Sequence, residues 1–583
     1  MDSAVMLATP ATAADLILSA HRACFSQFNA FTAKARDTFD DRAWLQGYLN
    51  TEKRVGLYRA AVNETWRKLR REFAERLRDR AFWMAARHVV LQRIVGTYDA
   101  DLALTFFYST MRLAFDETDV PVEYADDGLA RRSRGWSRHP VLQSYPAAPE
   151  QLRLAIECIL QRCGFRSPFE DIRRDAALVT ARLAAEWRRQ AGDLPPRTVQ
   201  MLEPVFFRDR EAYLVGKLRS ARAALPVVLA LRHDGPGITV DAVLTGKEDM
   251  RNILFVSTRS TFQVHSGAYR ELLAFLDSLA PERGHPAMCA VIGLTHPARV
   301  TLNQHLRRHL QQTGERFEPP PGRLGMAMVV FSPPSFPYVF KVVRDFSGKG
   351  GWTGRGPIMA LYRWVHEMNR GRLMLDAWLY RNLSFARSAF DDRVLDELLA
   401  SAPNSVRLDG DTVILKHAYA QRRVQPLNTF FDQTSDRALR ERAIDALGAF
   451  LKDLARMGFF IGDHYGLPCN TGLTHAFNVA LFDFDDLGPL SRYRFRETPP
   501  PPGGRDELFW NTEIDGAWFS VEPNDVLVDE WERFLGVPPD LHDYFRQKHG
   551  DLFTTAYWTE VQGRVQAGDL HYVLPYPLER RLR

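Results

Sequence analysis

Through the first 200 residues, apolar side chains recur at three- and four-residue steps with arginine and glutamate between them. That period predicts amphipathic helices over Leu45–Leu49, Val55–Leu69, Leu152–Cys163 and Ala176–Arg189. From Phe206 the pattern shortens. Tyr213–Leu218, Val227–Leu231, Ile238–Leu244 and Ile253–Val256 read as strands, as does the apolar run Met288–Leu294, before Arg299–Gln312 returns to helical spacing. Two proline-rich breaks, Glu318–Gly322 and Thr498–Gly504, punctuate the remainder. No repeat at a solenoid period is present.

After the first break, Met326–Phe331 and Tyr338–Val343 flank the turn Ser332-Pro-Pro-Ser335, which predicts a hairpin. Strand alternation puts Lys341 on the face of Val339 and Val343. An ammonium among valines costs several kcal/mol unless an anion meets it, and a phosphate is one such anion; the competing reading is an edge strand whose lysine reaches solvent. Just before the hairpin, Gly322 and Gly325 let backbone amides approach a phosphate closely, with Met326 opening the strand. Glycine-rich turn, hairpin and strand lysine together resemble the nucleotide lobe of a protein kinase.

A second constellation lies downstream. The helix Arg440–Met457 presents Ile444, Leu447, Leu451 and Leu454 on one face and stops at Gly458. Phe459–Ile461 then leads to Gly462-Asp463, with Asn470 seven residues later, and the strand Val479–Phe482 runs into Asp483-Phe-Asp-Asp486. Kinase chemistry needs a carboxylate near the accepting hydroxyl and an Asn and an Asp to hold Mg²⁺ on the phosphates. Asp463, Asn470 and Asp483 occur in that order. Any one of them alone reads better as a polar surface turn.

Composition narrows the picture further. The 583 residues allow two to four domains, and 45% apolar with 25% charged residues is the balance of a globular protein with a large core. A net charge of +5 gives no dominant nucleic-acid footprint. No run of eighteen apolar residues predicts a membrane span, and the first twenty residues do not read as a secretory signal. The five scattered cysteines point to a reducing, cytoplasmic setting without a structural zinc site. Only 10 of the 76 basic residues are lysine, so a lysine inside an apolar strand is less readily an accident of composition.

These residues, taken with others along nearly the whole chain, resemble the isocitrate dehydrogenase kinase/phosphatase family. The marks are Phe207–Lys217, Arg259–Phe262, Pro321–Met326, Val339–Val342, Arg422–Asn428, Asp483–Asp485, Trp518–Asp525, Asp551–Phe553 and Tyr557-Trp558. The resemblance implies an α+β fold: a mostly helical, metabolite-sensing regulatory domain with a small sheet over residues 1–317, then a bilobal kinase-like domain over 318–583. The N-lobe would span about 318–425 and the C-lobe about 426–583.

It also implies phosphorylation and dephosphorylation of a serine of isocitrate dehydrogenase, which controls flux between the tricarboxylic acid cycle and the glyoxylate bypass. ATP would bind at Pro320, Pro321, Gly322, Arg323, Leu324, Gly325, Met326 and Lys341. Mg²⁺, or Mn²⁺ in its place, would bind Asn470 and Asp483. Asp376, placed at the end of the helix after the hairpin, Asp463 and Asp485 would be the catalytic acids. AMP and other metabolites would act through the regulatory domain, and a homodimer is one option for assembly.

The chain departs from the family pattern in places. Gly462–Asn470 is two residues longer than the family's catalytic loop and carries Cys469 in place of lysine; Gln421 replaces a glutamate. The segment Ser347–Gly356 is glycine-rich and reads as a linker or as a loop over the phosphates. A displacement of ~1 Å at such a site costs ~100-fold in rate, so these changes keep a rival reading open: a nucleotide-sensing binding protein with weakened catalysis. A metabolite kinase is a third reading, for which the large helical N-terminal half is more than is needed.

Overall fold

The structure, a computed structural model, describes residues 9–97, 99–115, 141–192, 194–254, 261–281, 285–320, 325–345, 354–368, 373–462, 467–474, 477–498, 521–522, 524–567, 574, 576 and 578–582. Four helices open the chain, Pro10–Asp40, Trp44–Phe73, Arg80–Ile94 and Ala100–Met111. The first starts where sequence chemistry requires, with Pro10 in its first turn and Thr9 and Thr12 exchanging capping hydrogen bonds. Ile17, Leu69, Trp83, Val90 and Phe106 close a core among them. The two short periodic stretches Leu45–Leu49 and Val55–Leu69 belong to one continuous helix.

Six strands follow in an antiparallel sheet: β1 (Leu142–Pro146), β2 (Thr198–Leu202), β3 (Phe206–Arg208), β4 (Glu211–Arg219), β5 (Ala224–Arg232) and β6 (Thr239–Thr245). The order is β1-β2-β4-β5-β6, with β3 also paired to β4. Both faces are buried. Ala212, Leu214 and Leu229 pack under the helices Leu152–Gln161 and Ile172–Ala191, whereas Tyr213, Val215 and Val228 point into a second core. This two-sided burial is why the strands read as nearly continuous apolar runs.

Two expected strands are helical. Met288–Val291 lies in the helix His285–Val291, and Ile253 ends the helix Gly246–Ile253, with Val256 outside the described residues. Met288, Cys289, Ala290 and Val291 are all buried in the core beneath the first sheet. An apolar run buried all round carries no period to separate helix from strand.

The second core continues without a break into a second sheet. Phe317 enters it first, and its ring meets Phe331, Phe340, Phe385 and Phe390. The strands are β7 (Met328–Phe331), β8 (Tyr338–Val343), β9 (Ala377–Ala386), β10 (Val406–Asp409) and β11 (Thr412–Arg422). The hairpin forms as the sequence predicts, with Phe331 opposite Phe340. Long β11 is central, taking β9 along one edge and β10 then β8 along the other. β7 begins at Met328, so Met326 does not open the strand; it sits in a bend, 60% exposed.

Below this sheet the helix Arg437–Arg456 buries Ile444, Leu447, Leu451 and Leu454, and the chain turns at Gly458 with φ +86°. Around it stand β12 (Gln425–Pro426), β13 (Phe459–Ile461), β14 (Thr471–Leu473), β15 (Val479–Leu481), β16 (Leu487–Pro489), β17 (Arg494–Arg496) and β18 (Asp525–Leu527). The helices His542–His549 and Thr555–Gln566 complete this part, with Trp558 buried against Phe460 and Phe495. The chain then returns to the first sheet, where Arg581 bridges to Ala242 of β6 and the single hydroxyl proton of Tyr576 is shared between Glu211 and Asp241. No described helix is long and apolar enough to cross a membrane.

Candidate active site

Pleating decides where Lys341 goes. In β8, Phe340 and Val342 turn into the core shared with the first sheet, so Lys341 and Val343 face the lower half of the molecule. Lys341 is 4% exposed. Its Nζ donates to the Phe482 carbonyl at 2.7 Å and stands over the Phe482 ring, 5.3 Å from its centroid. Burial lowers its pKa, and the carboxylates of Asp483 and Asp485 draw it partly back up. The competing solvent-facing edge strand is ruled out, because β8 has a partner on each side.

Asn470 and Asp483 meet through the backbone. The amides of Phe482 and Asp483 both donate to the Asn470 carbonyl, at 3.0 and 3.3 Å. The hairpin of β14 and β15 makes this closure, pairing Thr471 with Leu481. Asn470 ends the single helical turn Leu467–Asn470, which Thr471 pins by donating its Oγ1 to the Leu467 carbonyl at 2.6 Å. β13 pairs with β16, and the Gly462 amide donates to the Asp486 carbonyl at 2.8 Å. A Cβ on Gly462 would lie 2.7 Å from the Tyr493 hydroxyl, so a side chain there would have to displace that ring. Asp463 follows it and lies outside the described residues, as do Pro321, Gly322, Arg323 and Leu324.

Phe484 anchors the acidic segment. It is 1% exposed and its ring lies 4.9 Å from Tyr362 on the helix Arg355–Met368, so Asp483 and Asp485 flank a buried apolar peg. Tyr362 also lies 4.9 Å from Tyr419, the residue opposite Lys341 across the sheet. Its phenol is pushed well above the usual range by burial and then by the charge of Asp483 and Asp485. Sequence reasoning missed Tyr362, whose only signal was a tyrosine on the apolar face of an amphipathic helix.

Asp376 is not at the end of a helix. That helix ends at Met368, and Asp376 lies in the extended approach to β9. Leu375 donates to the Leu481 carbonyl at 2.9 Å and Leu481 to the Leu373 carbonyl at 2.7 Å, a parallel bridge between Met374 and Leu481. Two residues along each strand, this register sets the Asp376 backbone level with Asp483. Its carboxylate acts on Arg299 of the helix Thr295–Thr313. Buried Gln421 donates its Nε2 to the Leu375 carbonyl at 3.2 Å and so holds this segment in place.

The glycine-rich turn is seen at its two ends. Pro320 is half-buried, and the Gly325 carbonyl accepts from Nε and Nη2 of Arg344, both at 3.3 Å. A Cβ on Gly325 would lie 2.7 Å from the Met328 carbonyl oxygen. Lys341, Asn470, Asp483 and Asp485 are therefore brought together, with Asp376 one strand away. Among the described residues no three His, Cys, Asp or Glu side chains group as a metal site. Mg²⁺ asks for less: one or two carboxylates, with phosphate oxygens and water completing the shell. The hard oxygen donors of Asn470 and Asp483 fit that requirement.

Comparison with known proteins shows the family. Residues 315–578 match the kinase domain of isocitrate dehydrogenase kinase/phosphatase (AceK), and residues 14–314 match its regulatory domain. The chain belongs to the isocitrate dehydrogenase kinase/phosphatase family. A relative of that name from Anaeromyxobacter sp. (strain Fw109-5) is 33% identical over 554 residues, 94% of each chain. One from Anaeromyxobacter dehalogenans (strain 2CP-C) is 32% identical, covering 98% of this chain and 97% of the relative. Another, from Xanthomonas campestris pv. campestris (strain 8004), is 30% identical over 96% and 95%. Within this isocitrate dehydrogenase kinase/phosphatase framework, Gln421 supports the backbone at Leu375. Asn470 is bonded through its carbonyl to the Asp483 amide.

Proposed function

We propose that the chain transfers the γ-phosphoryl group of ATP to a serine of isocitrate dehydrogenase and removes it again at the same site, controlling flux into the glyoxylate bypass. One observation carries the reading: Lys341, in the nucleotide-lobe strand, is bonded to the residue preceding Asp483, whose own amide is bonded to Asn470. Bound ATP would supply the phosphoryl group, and Mg²⁺ or Mn²⁺ would neutralise charge on its phosphates.

Lys341 offers its free N–H bonds to the phosphates in a place shielded from water, where each such contact is strengthened. Pro320–Met326 covers them with backbone amides. Asn470 and Asp483 hold the metal, and Phe484 keeps Asp483 from swinging away. Asp463 or Asp376 orients the serine hydroxyl and takes its proton, with Asp485 a further acid beside Lys341. In reverse the same acids direct a water at phosphoserine. Residues 318–583 form the catalytic part, and residues 1–317 are regulatory, receiving AMP and other metabolites. The reaction takes place in the cytoplasm.

The test is incubation of the pure protein with labelled ATP and isocitrate dehydrogenase from the same cell. Phosphoserine on the dehydrogenase, lost again when ATP is replaced by ADP, is expected. ATP binding without phosphoserine overturns the kinase reading in favour of a nucleotide-sensing binding protein.

A further inference from the structure

Beyond Lys341, the same face of the second sheet carries charge that the site above does not use. Alternation along β11 puts His417 on the face of Tyr419, and Arg381 of β9 stands directly opposite His417. Arg355, the first residue of the helix Arg355–Met368, donates its Nη2 to His417 Nδ1 at 2.7 Å. With Nδ1 accepting, the imidazole proton sits on Nε2 and points away as a further donor. Burial, then the charges of Arg355, Arg381 and Lys416, hold the imidazole neutral, with its pKa lowered to about 4. Arg363, Arg355 and Arg381 all act on the neighbouring phenol of Tyr419.

Among the described residues no carboxylate pairs with these cations. Among the described residues Arg355, Arg363, Arg381 and Lys416 form no ion pair, and Arg355 Nε is buried without an acceptor. Like charges at ~4 Å repel by about 1 kcal/mol even in water and by more near protein. A fold that gathers them with no ion-pair partner among the described residues is arranged for an anion. The convergence of two guanidinium groups from separate elements with an imidazole N–H suits a tetrahedral dianion better than a single carboxylate.

We propose that Arg355, Arg381 and His417 form a binding site for a phosphate dianion, free or carried by a small phosphorylated metabolite. It is distinct from the nucleotide site. His417 lies two residues beyond Tyr419, ~7 Å along the strand, and it is Tyr419, its ring 4.9 Å from that of Tyr362, that stands opposite Lys341 across the sheet.

The experiment titrates inorganic phosphate into the full chain at constant ionic strength, followed by calorimetry and by the imidazole signal of His417. Saturable binding is expected, with the His417 pKa climbing from about 4 toward its ordinary value because a dianion favours imidazolium. Arg381→Ala, a change at an exposed residue, should weaken phosphate at least tenfold with an unchanged melting profile, and adding Arg355→Gln should abolish it. Lys341→Met should leave phosphate affinity unaltered. Glycerol 2-phosphate competing with phosphate assigns the source to an ester, and failure to compete assigns it to the free ion. Non-saturable binding, an unaffected Arg381→Ala protein, or loss of phosphate in Lys341→Met overturns the proposal. None of these readouts depends on kinase activity.

Discussion

Two buried charged regions of this molecule are built on opposite principles. Beneath the first sheet, Asp241 accepts from Tyr576 and from both Nε and Nη2 of Arg581, at 2.8–3.1 Å. Glu211 accepts from Tyr213 and Tyr576, and Asp249 from the Thr245 amide and Arg580. Beside the second sheet, Lys341 has three donors and, among the described residues, one hydrogen-bond acceptor, a carbonyl. Its nearest countercharges, Asp483 and Asp485, act on it through space. A charge whose partners come from the chain itself is structural. A charge left short of partners is waiting for something the chain does not supply.

Substitutions that erase each charge test that contrast, and the largest effect belongs to Lys341. Lys341→Met should lower phosphoryl transfer by ~10²–10³-fold or more, the scale of losing a preorganised donor. Its melting temperature should hold or rise, since an apolar group replaces a desolvated charge. An active Lys341→Met protein would break the comparison outright. Asp483→Asn should cost a similar ~10²–10³-fold in turnover with a smaller loss of nucleotide affinity, read by comparing kcat with equilibrium ATP binding.

Tyr576→Phe inverts the outcome: about 1–3 kcal/mol of stability lost in denaturant melts, because two buried carboxylates lose a shared donor, and catalysis at saturating substrate unchanged. Gln421→Ala should cost roughly 1 kcal/mol by leaving the Leu375 carbonyl unpaired, with a drop in kcat if Asp376 takes part.

The last effect is in pH. His417 has a folded pKa of about 4, below the ~6.5 of an unfolded histidine. The unfolded chain therefore binds more protons between those values, so the contribution of His417 is complete above pH ~6.5 and is lost as pH falls toward 4. Denaturant melts from pH 7 to 5 should show this slope, and His417→Gln should flatten it.

Much of this arrangement could be read from residue order. The hairpin, Lys341 and the turn into Asp483 are local, each carried by alternation or by a proline-rich break within ten residues. The helix Arg437–Arg456 announced itself by four apolar positions on one face. Met288–Val291 could not, because complete burial erases the period on which such reading depends. Asp376 was misplaced for another reason: its strand is fixed by Leu481, more than a hundred residues away, and nothing nearby signals that pairing. Tyr362 and Gln421 likewise gain their roles from partners on other elements. Arg355 and Arg381 stand 26 positions apart in a chain rich in arginine, where no single one draws notice.

The return of residues 576–582 to the first sheet has a consequence for biosynthesis. As the nascent chain emerges, β4 and β6 are available early, yet Glu211, Asp241 and Asp249 gain Tyr576, Arg581 and Arg580 only after more than three hundred further residues have been translated. The first sheet thus waits in a provisional state while the second half of the chain is made, and a chain cut short before Tyr576 never completes it.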